Sequence, residues 1–242
     1  MRGLFITFEG TEGSGKSTQV GLLIRRLTEM GYIVRSLREP GGTPIGEEIR
    51  HTLKHSNVNH NMFYETELLL MNASRAQLVR EVIRPALANG EVIICDRFYD
   101  STTAYQGYGR GLDLEMVRRA IACAVGETRP DLTLLLTVPV KVSEARRLSR
   151  LLPGMESVRD RMEEADRAFF ERVEEGYKKL AASEPERVRN IDATAPLDSV
   201  TKLIWEAVEP MLERVSLTKS NPAVDKFAAS ANVTGSKKKL SF

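Results

Sequence analysis

Leu4-Phe5-Ile6-Thr7-Phe8 is a short, mainly apolar run that passes through Glu9 into Gly10-Thr11-Glu12-Gly13-Ser14-Gly15-Lys16-Ser17. The second stretch satisfies G-x-x-x-x-G-K-[ST], and its setting, a strand before it and a helical pattern after it, is the one in which that motif is meaningful. Glycines let the backbone turn so that successive N–H groups point at phosphate oxygens, and the helix that follows adds its positive end. Gly10, Thr11, Glu12, Gly13, Ser14, Gly15, Lys16, Ser17 and Thr18 are therefore expected to bind a nucleoside triphosphate. Lys16 is expected to bridge its terminal phosphates and the Ser17 hydroxyl to ligate a magnesium ion.

Outward from this loop, short β-rich runs alternate with helical ones. Leu4–Phe8, Ile33–Leu37, Val92–Cys95, Leu132–Thr137 and Val188–Ile191 are apolar enough for strands covered on both faces. Helical spacing runs over Lys16–Met30, Glu65–Ala88, Leu114–Val125, Val140–Leu152, Ala165–Ala182 and Leu197–Val215, with Gly31 and Gly90 as stops and Pro85 kinking the second helix. Strand-helix-strand alternation implies right-handed crossovers, a five-stranded parallel sheet and helices on both faces: a three-layer α/β/α fold.

Composition agrees with one globular domain. The chain has 242 residues, 42% hydrophobic and 28% charged, with a net charge of +2. The sequence predicts a domain over 1–215 and a flexible tail over 216–242. That tail carries five lysines against one acid, Asp225, so its +4 leaves about −2 on the rest. Lys237-Lys238-Lys239 is too small a basic cluster to indicate nucleic-acid binding strongly. Cys95 and Cys123 form neither a disulfide framework nor a metal knuckle, the first apolar run is too short for a signal peptide, and no run approaches the ~18 residues of a membrane span. A soluble, cytoplasmic protein is expected.

The loop alone does not name a reaction. An H-R-D catalytic segment and an N-K-x-D guanine reader are both absent. Val92-Ile93-Ile94-Cys95 instead ends in Asp96-Arg97. An acid there suits a magnesium-organising carboxylate, and the arginine beside it suggests a second anion nearby. Met71 and Arg75, four residues apart, share a helix face and could together cover and hydrogen-bond a base. Ser101 and Tyr105, and likewise Thr102 and Gln106, share faces if their segment is helical.

Four segments closely resemble the bacterial thymidylate kinases: FEGTEGSGKST (Phe8–Thr18), REPGGTPIGEEIR (Arg38–Arg50), NASRAQLV (Asn72–Val79) and DRFYDSTTAYQGYGRG (Asp96–Gly111). Weaker echoes extend the likeness to about residue 213. The resemblance implies a P-loop kinase fold with a lid, phosphoryl transfer from ATP to dTMP as partners, magnesium as cofactor held by Ser17 and Asp96, and a homodimer with a face on the Glu65–Ala88 helix. It implies that Arg97 and Arg50 hold the acceptor phosphate and that Arg75 reads the thymine edge. Ser101, Thr102 and Gln106 then address the base or sugar, Tyr105 crowds a ribose 2′-hydroxyl, and Glu39 with Pro40 forms a pocket wall. Met71 stands where the family usually has an aromatic.

The stretch 144–167 holds Arg146, Arg147, Arg150, Arg159, Arg161 and Arg167 among acids. The family places a charge-stabilising arginine either in the phosphate loop or in the lid. Glu12 occupies the loop position, so the resemblance implies the lid type, with Arg150, Arg159 and Arg161 joining Lys16 and Arg97 as catalytic groups.

Overall fold

The computed structural model describes residues 2–56, 59–148, 166–213 and 215. The predicted tail and lid arginines Arg150, Arg159 and Arg161 lie outside these residues. Five parallel strands, β1 (Leu4–Glu9), β2 (Val34–Arg38), β3 (Val92–Asp96), β4 (Leu132–Thr137) and β5 (Val188–Asp192), form a sheet in the order β2-β3-β1-β4-β5. All five expected strands are present, one with the predicted bounds and four with ends that differ by a residue.

The side-chain alternation of the strands builds the three layers. Leu4, Ile6 and Phe8 of β1, with Val92 and Ile94 of β3, pack against α1 (Lys16–Glu29), which contributes Val20, Leu23 and Leu27. Phe5, Ile93 and Cys95 point to the other face, into a second core that includes Leu68, Leu78, Val117 and Ile121. On β1, Thr7 also turns away from α1, and its hydroxyl meets that of Thr133 on β4 at 2.8 Å, so the one polar pair in that buried row is satisfied.

One helix was not expected. α2 (Pro44–Lys54) follows the Gly-Gly turn, and its start is well specified: Thr43 accepts from the Gly46 N–H at 3.0 Å, and Pro44 occupies the first turn. The long helix predicted over Glu65–Ala88 is a composite. α3 (Tyr64–Leu78) runs through a π turn, Val79–Ile83, into α4 (Arg84–Ala88). After β3, a single turn α5 (Tyr99–Thr102) continues as a π turn over Thr103–Gly109, confirming the helical reading of that segment. α6 (Leu114–Val125), α7 (Val140–Leu148), α8 (Arg167–Ser183) and α9 (Leu197–Leu212) complete the fold. The predicted ends are corrected here: α8 begins at Arg167, where Asp166 caps it by accepting from the Phe169 N–H at 2.7 Å, and α9 stops at Leu212, three residues early.

β1 and β3 are neighbours in register, with Phe8 opposite Asp96. The phosphate loop and the Asp96-Arg97 turn consequently leave the sheet side by side at its carboxyl edge, where open α/β sheets bind their ligands.

Candidate active site

The loop after β1 folds as its glycines permit. Gly13 has φ +79°, and a Cβ there would lie 2.7 Å from the Ser143 carbonyl oxygen on α7. Gly15, at φ +93°, caps α1 without a side chain in the way. Lys16 turns back over the loop, its Nζ donating to the Gly10 and Thr11 carbonyls at 2.9 Å each. Burial, and then the charge of Arg97, lower its pKa to about 7. Asp96, Glu9 and Glu12 pull it the other way without cancelling that cost.

The turn after β3 is held in an uncommon shape. Arg97 has φ +71°, a left-handed conformation that a bulky residue adopts only when its surroundings impose it. Its N–H donates to the Phe8 carbonyl at 2.9 Å, which ties the turn to β1. Its guanidinium donates from Nη1 to Ser101 Oγ (3.0 Å) and Tyr177 OH (3.3 Å), and from Nη2 to Tyr105 OH (3.2 Å). Ser101 and Tyr105 therefore do share the face their spacing predicts, and Arg97 is what they face.

Behind Arg97 sits a group that sequence reasoning did not single out. Glu9, the last residue of β1, is fully buried. Its Oε1 accepts from the Phe98 and Ser101 N–H groups at 2.8 and 3.2 Å, and its Oε2 from Ser101 Oγ at 2.5 Å and Tyr177 OH at 2.8 Å. Burial, with repulsion from Asp100 next, raises its pKa. Because Ser101 and Tyr177 give their protons to Glu9, their lone pairs are left for Arg97. The signal available in the sequence was an acid placed at the end of an otherwise apolar strand; Tyr177, 168 residues away, gave none.

Across the cavity, Arg75 is 2% exposed rather than a surface residue. Its Nε donates to Glu39 Oε2 (2.8 Å), Nη1 to Asn72 Oδ1 (3.0 Å) and Nη2 to the Phe98 carbonyl (3.2 Å). Glu39 precedes a cis peptide to Pro40 and keeps Oε1 buried with no donor. Burial outweighs the pull of Arg75 and pushes its pKa up to about 7. Arg50 donates to the Pro40 carbonyl at 2.9 Å, joining α2 to the same wall.

These pieces line one cavity of about 420 Å³. It gathers Glu12, Gly13, Gly15, Lys16 and Ser17 from the phosphate loop, Glu39, Pro40 and Arg50 from the turn and α2, and Met71 and Arg75 from α3. Asp96, Arg97, Ser101, Thr102, Tyr105 and Gln106 close it. Gly10, Thr11 and Ser14 stay behind the lining, where their oxygens take Lys16, and Thr18 is exposed on α1. Arg38, Lys54 and Phe98 also line the cavity and were not anticipated. Phe98 packs its ring edge-on against Phe5 in the second core, and its backbone carbonyl accepts from Arg75.

The donor set suits a magnesium ion. Asp96 Oδ1 is buried without a hydrogen-bond donor, and the Ser17 hydroxyl lines the same cavity. A bare carboxylate oxygen and a hydroxyl are the hard oxygen ligands this ion takes alongside phosphates and water.

Comparison with known proteins gives a consistent picture. The family model described as thymidylate kinase matches residues 8–204. A thymidylate kinase of Alcanivorax borkumensis is 47% identical over 211 residues, 87% of this chain and 98% of that protein. One of Pseudomonas entomophila is 47% identical, with 88% and 99% covered. The crystal structure of a thymidylate kinase from Ehrlichia chaffeensis is similar with a TM-score of 0.67 at 29% identity, covering 86% of this chain and 99% of that one.

Proposed function

The chain belongs to the thymidylate kinase family and phosphorylates dTMP to dTDP, and we propose that it does so by in-line transfer of the γ-phosphoryl group of ATP within the cavity between the phosphate loop and Arg97. The observation that carries this reading is the placement of two cationic anchors, Lys16 and Arg97, at opposite sides of one cavity, on loops that leave neighbouring strands. One anchor suits the donor's terminal phosphates, the other the acceptor's phosphate.

The residues divide the work. Backbone N–H groups of Gly13 to Ser17, with the amino end of α1, receive the triphosphate, and Lys16 exchanges its loop carbonyls for phosphate oxygens. Ser17 and Asp96 would hold magnesium, which when bound with ATP neutralises charge on the phosphate oxygens. Arg97, fixed by Ser101, Tyr105 and Tyr177, and Arg50, fixed by Pro40, hold the dTMP phosphate so that one of its oxygens faces the γ-phosphorus. That oxygen is already anionic near neutral pH, so no side chain has to remove a proton; positioning and charge stabilisation supply the rate. Arg75, Gln106 and Thr102 address the base, with Met71 as apolar surface beside it, and the Tyr105 ring crowds the position of a 2′-hydroxyl. Arg150, Arg159 and Arg161 enter the proposal from the sequence alone, as further charge on the transferring group.

A homodimer and a cytoplasmic setting belong to the same reading. Phe63 and Leu69, at the start and on the outer face of α3, are 77% and 63% exposed and offer an apolar face to a second copy. Among the described residues no helix is long and apolar enough to cross a membrane. Replacing Arg97 tests the assignment of the two ends. Arg97→Ala is expected to raise the KM for dTMP and lower kcat while leaving ATP affinity near that of the parent. Loss of ATP affinity with an unchanged KM for dTMP would contradict it.

A further inference from the structure

Gln106 lines the cavity, but its amide nitrogen points away from it. Nε2 donates at 2.8 Å to Oε1 of Glu67 on α3, in a contact where both residues are 1% exposed. Glu67 is itself pinned by Arg110, one α-helical turn beyond Gln106: Nε donates to Oε1 at 3.3 Å and Nη2 to Oε2 at 3.2 Å. Arg110 in turn lies between two rings, 4.9 Å from the centre of Tyr64 and 4.7 Å from that of Phe169. Neither Glu67 nor Arg110 is part of the cavity wall.

A glutamine amide can offer a pocket either its carbonyl oxygen or its NH2 group, and a half-turn about the last side-chain bond exchanges them. A carboxylate ion-paired with arginine can only accept. With Glu67 on one side, the NH2 group has one low-energy direction, and no donor among the described residues occupies Oε1. The cavity therefore meets an acceptor at Gln106. On the far side Arg75, which has only donors, is clamped by Glu39, Asn72 and the Phe98 carbonyl.

We propose that Glu67 is a specificity-determining positioning residue: by accepting from Gln106 Nε2 it fixes the polarity of the amide, so that the site selects a pyrimidine edge with a carbonyl at C4 and a proton on N3 over one with an amine at C4 and a bare N3. The inference rests on the placement of the base given under Proposed function. A thymine or uracil edge gives Arg75 an acceptor and Gln106 a donor. A cytosine edge sets donor against donor and acceptor against acceptor, and leaving such groups unpaired in a closed site is the strongest discrimination a binding pocket achieves. Nothing in the pair distinguishes thymine from uracil; the C5 methyl is outside its reach.

The test is the ratio of kcat/KM for dTMP to that for dCMP, measured for the parent enzyme and for Glu67→Gln. A glutamine at 67 can give or accept, so the amide of Gln106 loses its enforced direction while the wall of the cavity keeps its shape. The expected result is a fall of about tenfold or more in the ratio, the scale of one hydrogen bond to a charged group. Gln106→Met should show the same fall, with no further change when Glu67→Gln is added. Arg110→Met, which releases Glu67 without touching the cavity, provides a second route to the same ratio should Glu67→Gln fail to fold. If the variants lose activity on both substrates by the same factor, Glu67 only supports the fold and the inference is overturned. A parent enzyme with no preference for dTMP over dCMP would instead overturn the placement of the base on which it depends.

Discussion

Replacing Glu9 with glutamine changes one oxygen to an NH2 group in a buried site where the carboxylate accepts from four donors. Two of those donors, the Phe98 and Ser101 N–H groups, belong to the backbone and cannot turn; the other two, Ser101 Oγ and Tyr177 OH, can. The glutamine oxygen is therefore expected to keep the backbone pair, with the new NH2 group facing the hydroxyls. One hydroxyl can then give its proton to the other, 3.0 Å away, but the second is left facing Arg97 Nη1, which is itself a donor. Of the three hydrogen bonds that orient Arg97, the one to that second hydroxyl is expected to be lost, at a cost of about 1.5–3 kcal/mol for a hydrogen bond to a charged group. That corresponds to about a ten- to hundredfold loss in kcat/KM for dTMP. Stability should fall less, by about 1–2 kcal/mol, because a neutral amide escapes the burial cost that already raises the pKa of Glu9. Steady-state kinetics with dTMP varied, alongside urea unfolding, measure both. An enzyme with parental kcat and KM for dTMP would refute the claim that Glu9 sets Arg97 through the two hydroxyls.

Two further outcomes follow from the geometry of the donor end. Because burial and Arg97 hold the Lys16 pKa at about 7, ATP binding should return a proton to Lys16: close to one taken up at about pH 8 and few at about pH 6. Calorimetric titrations in buffers of different ionisation enthalpy count those protons, and an uptake that does not grow with pH would contradict the assignment. Gly13→Ala places a Cβ 2.7 Å from the Ser143 carbonyl oxygen at a φ of +79°, so it should cost about 1–3 kcal/mol and raise the KM for ATP about tenfold or more, with the KM for dTMP little changed.

Much of this site could be read from the sequence because it is local. The phosphate loop, its flanking strand and helix, and Asp96-Arg97 at the end of an apolar run are each specified within about ten residues. The sites on α3 and after β3 were found through four-residue spacing, which survives even the π turn over Thr103–Gly109. What escaped is held by contacts distant in sequence. Tyr177 reaches Glu9 only because α8 packs on the segment after α5, and Glu67 meets Gln106 only because α3 lies along it. Arg75 lies buried in a network with Glu39, Asn72 and the Phe98 carbonyl, which charge patterning cannot reveal. α2 is a different case: Thr43-Pro44 is a legible helix start, but the Gly-Gly turn before it and its sparse apolar positions, Ile45, Ile49 and Leu53, obscured the periodicity.

The central claim is that one cavity joins a triphosphate anchored at Lys16 to a thymidine monophosphate anchored at Arg97. An assay coupled to ADP release, run with ATP and magnesium and with dTMP, dCMP or thymidine as acceptor, tests it most directly. The account predicts rapid ADP release only with dTMP among these three, with one dTDP formed per ADP. Release independent of acceptor, or a preference for thymidine without its phosphate, would contradict it.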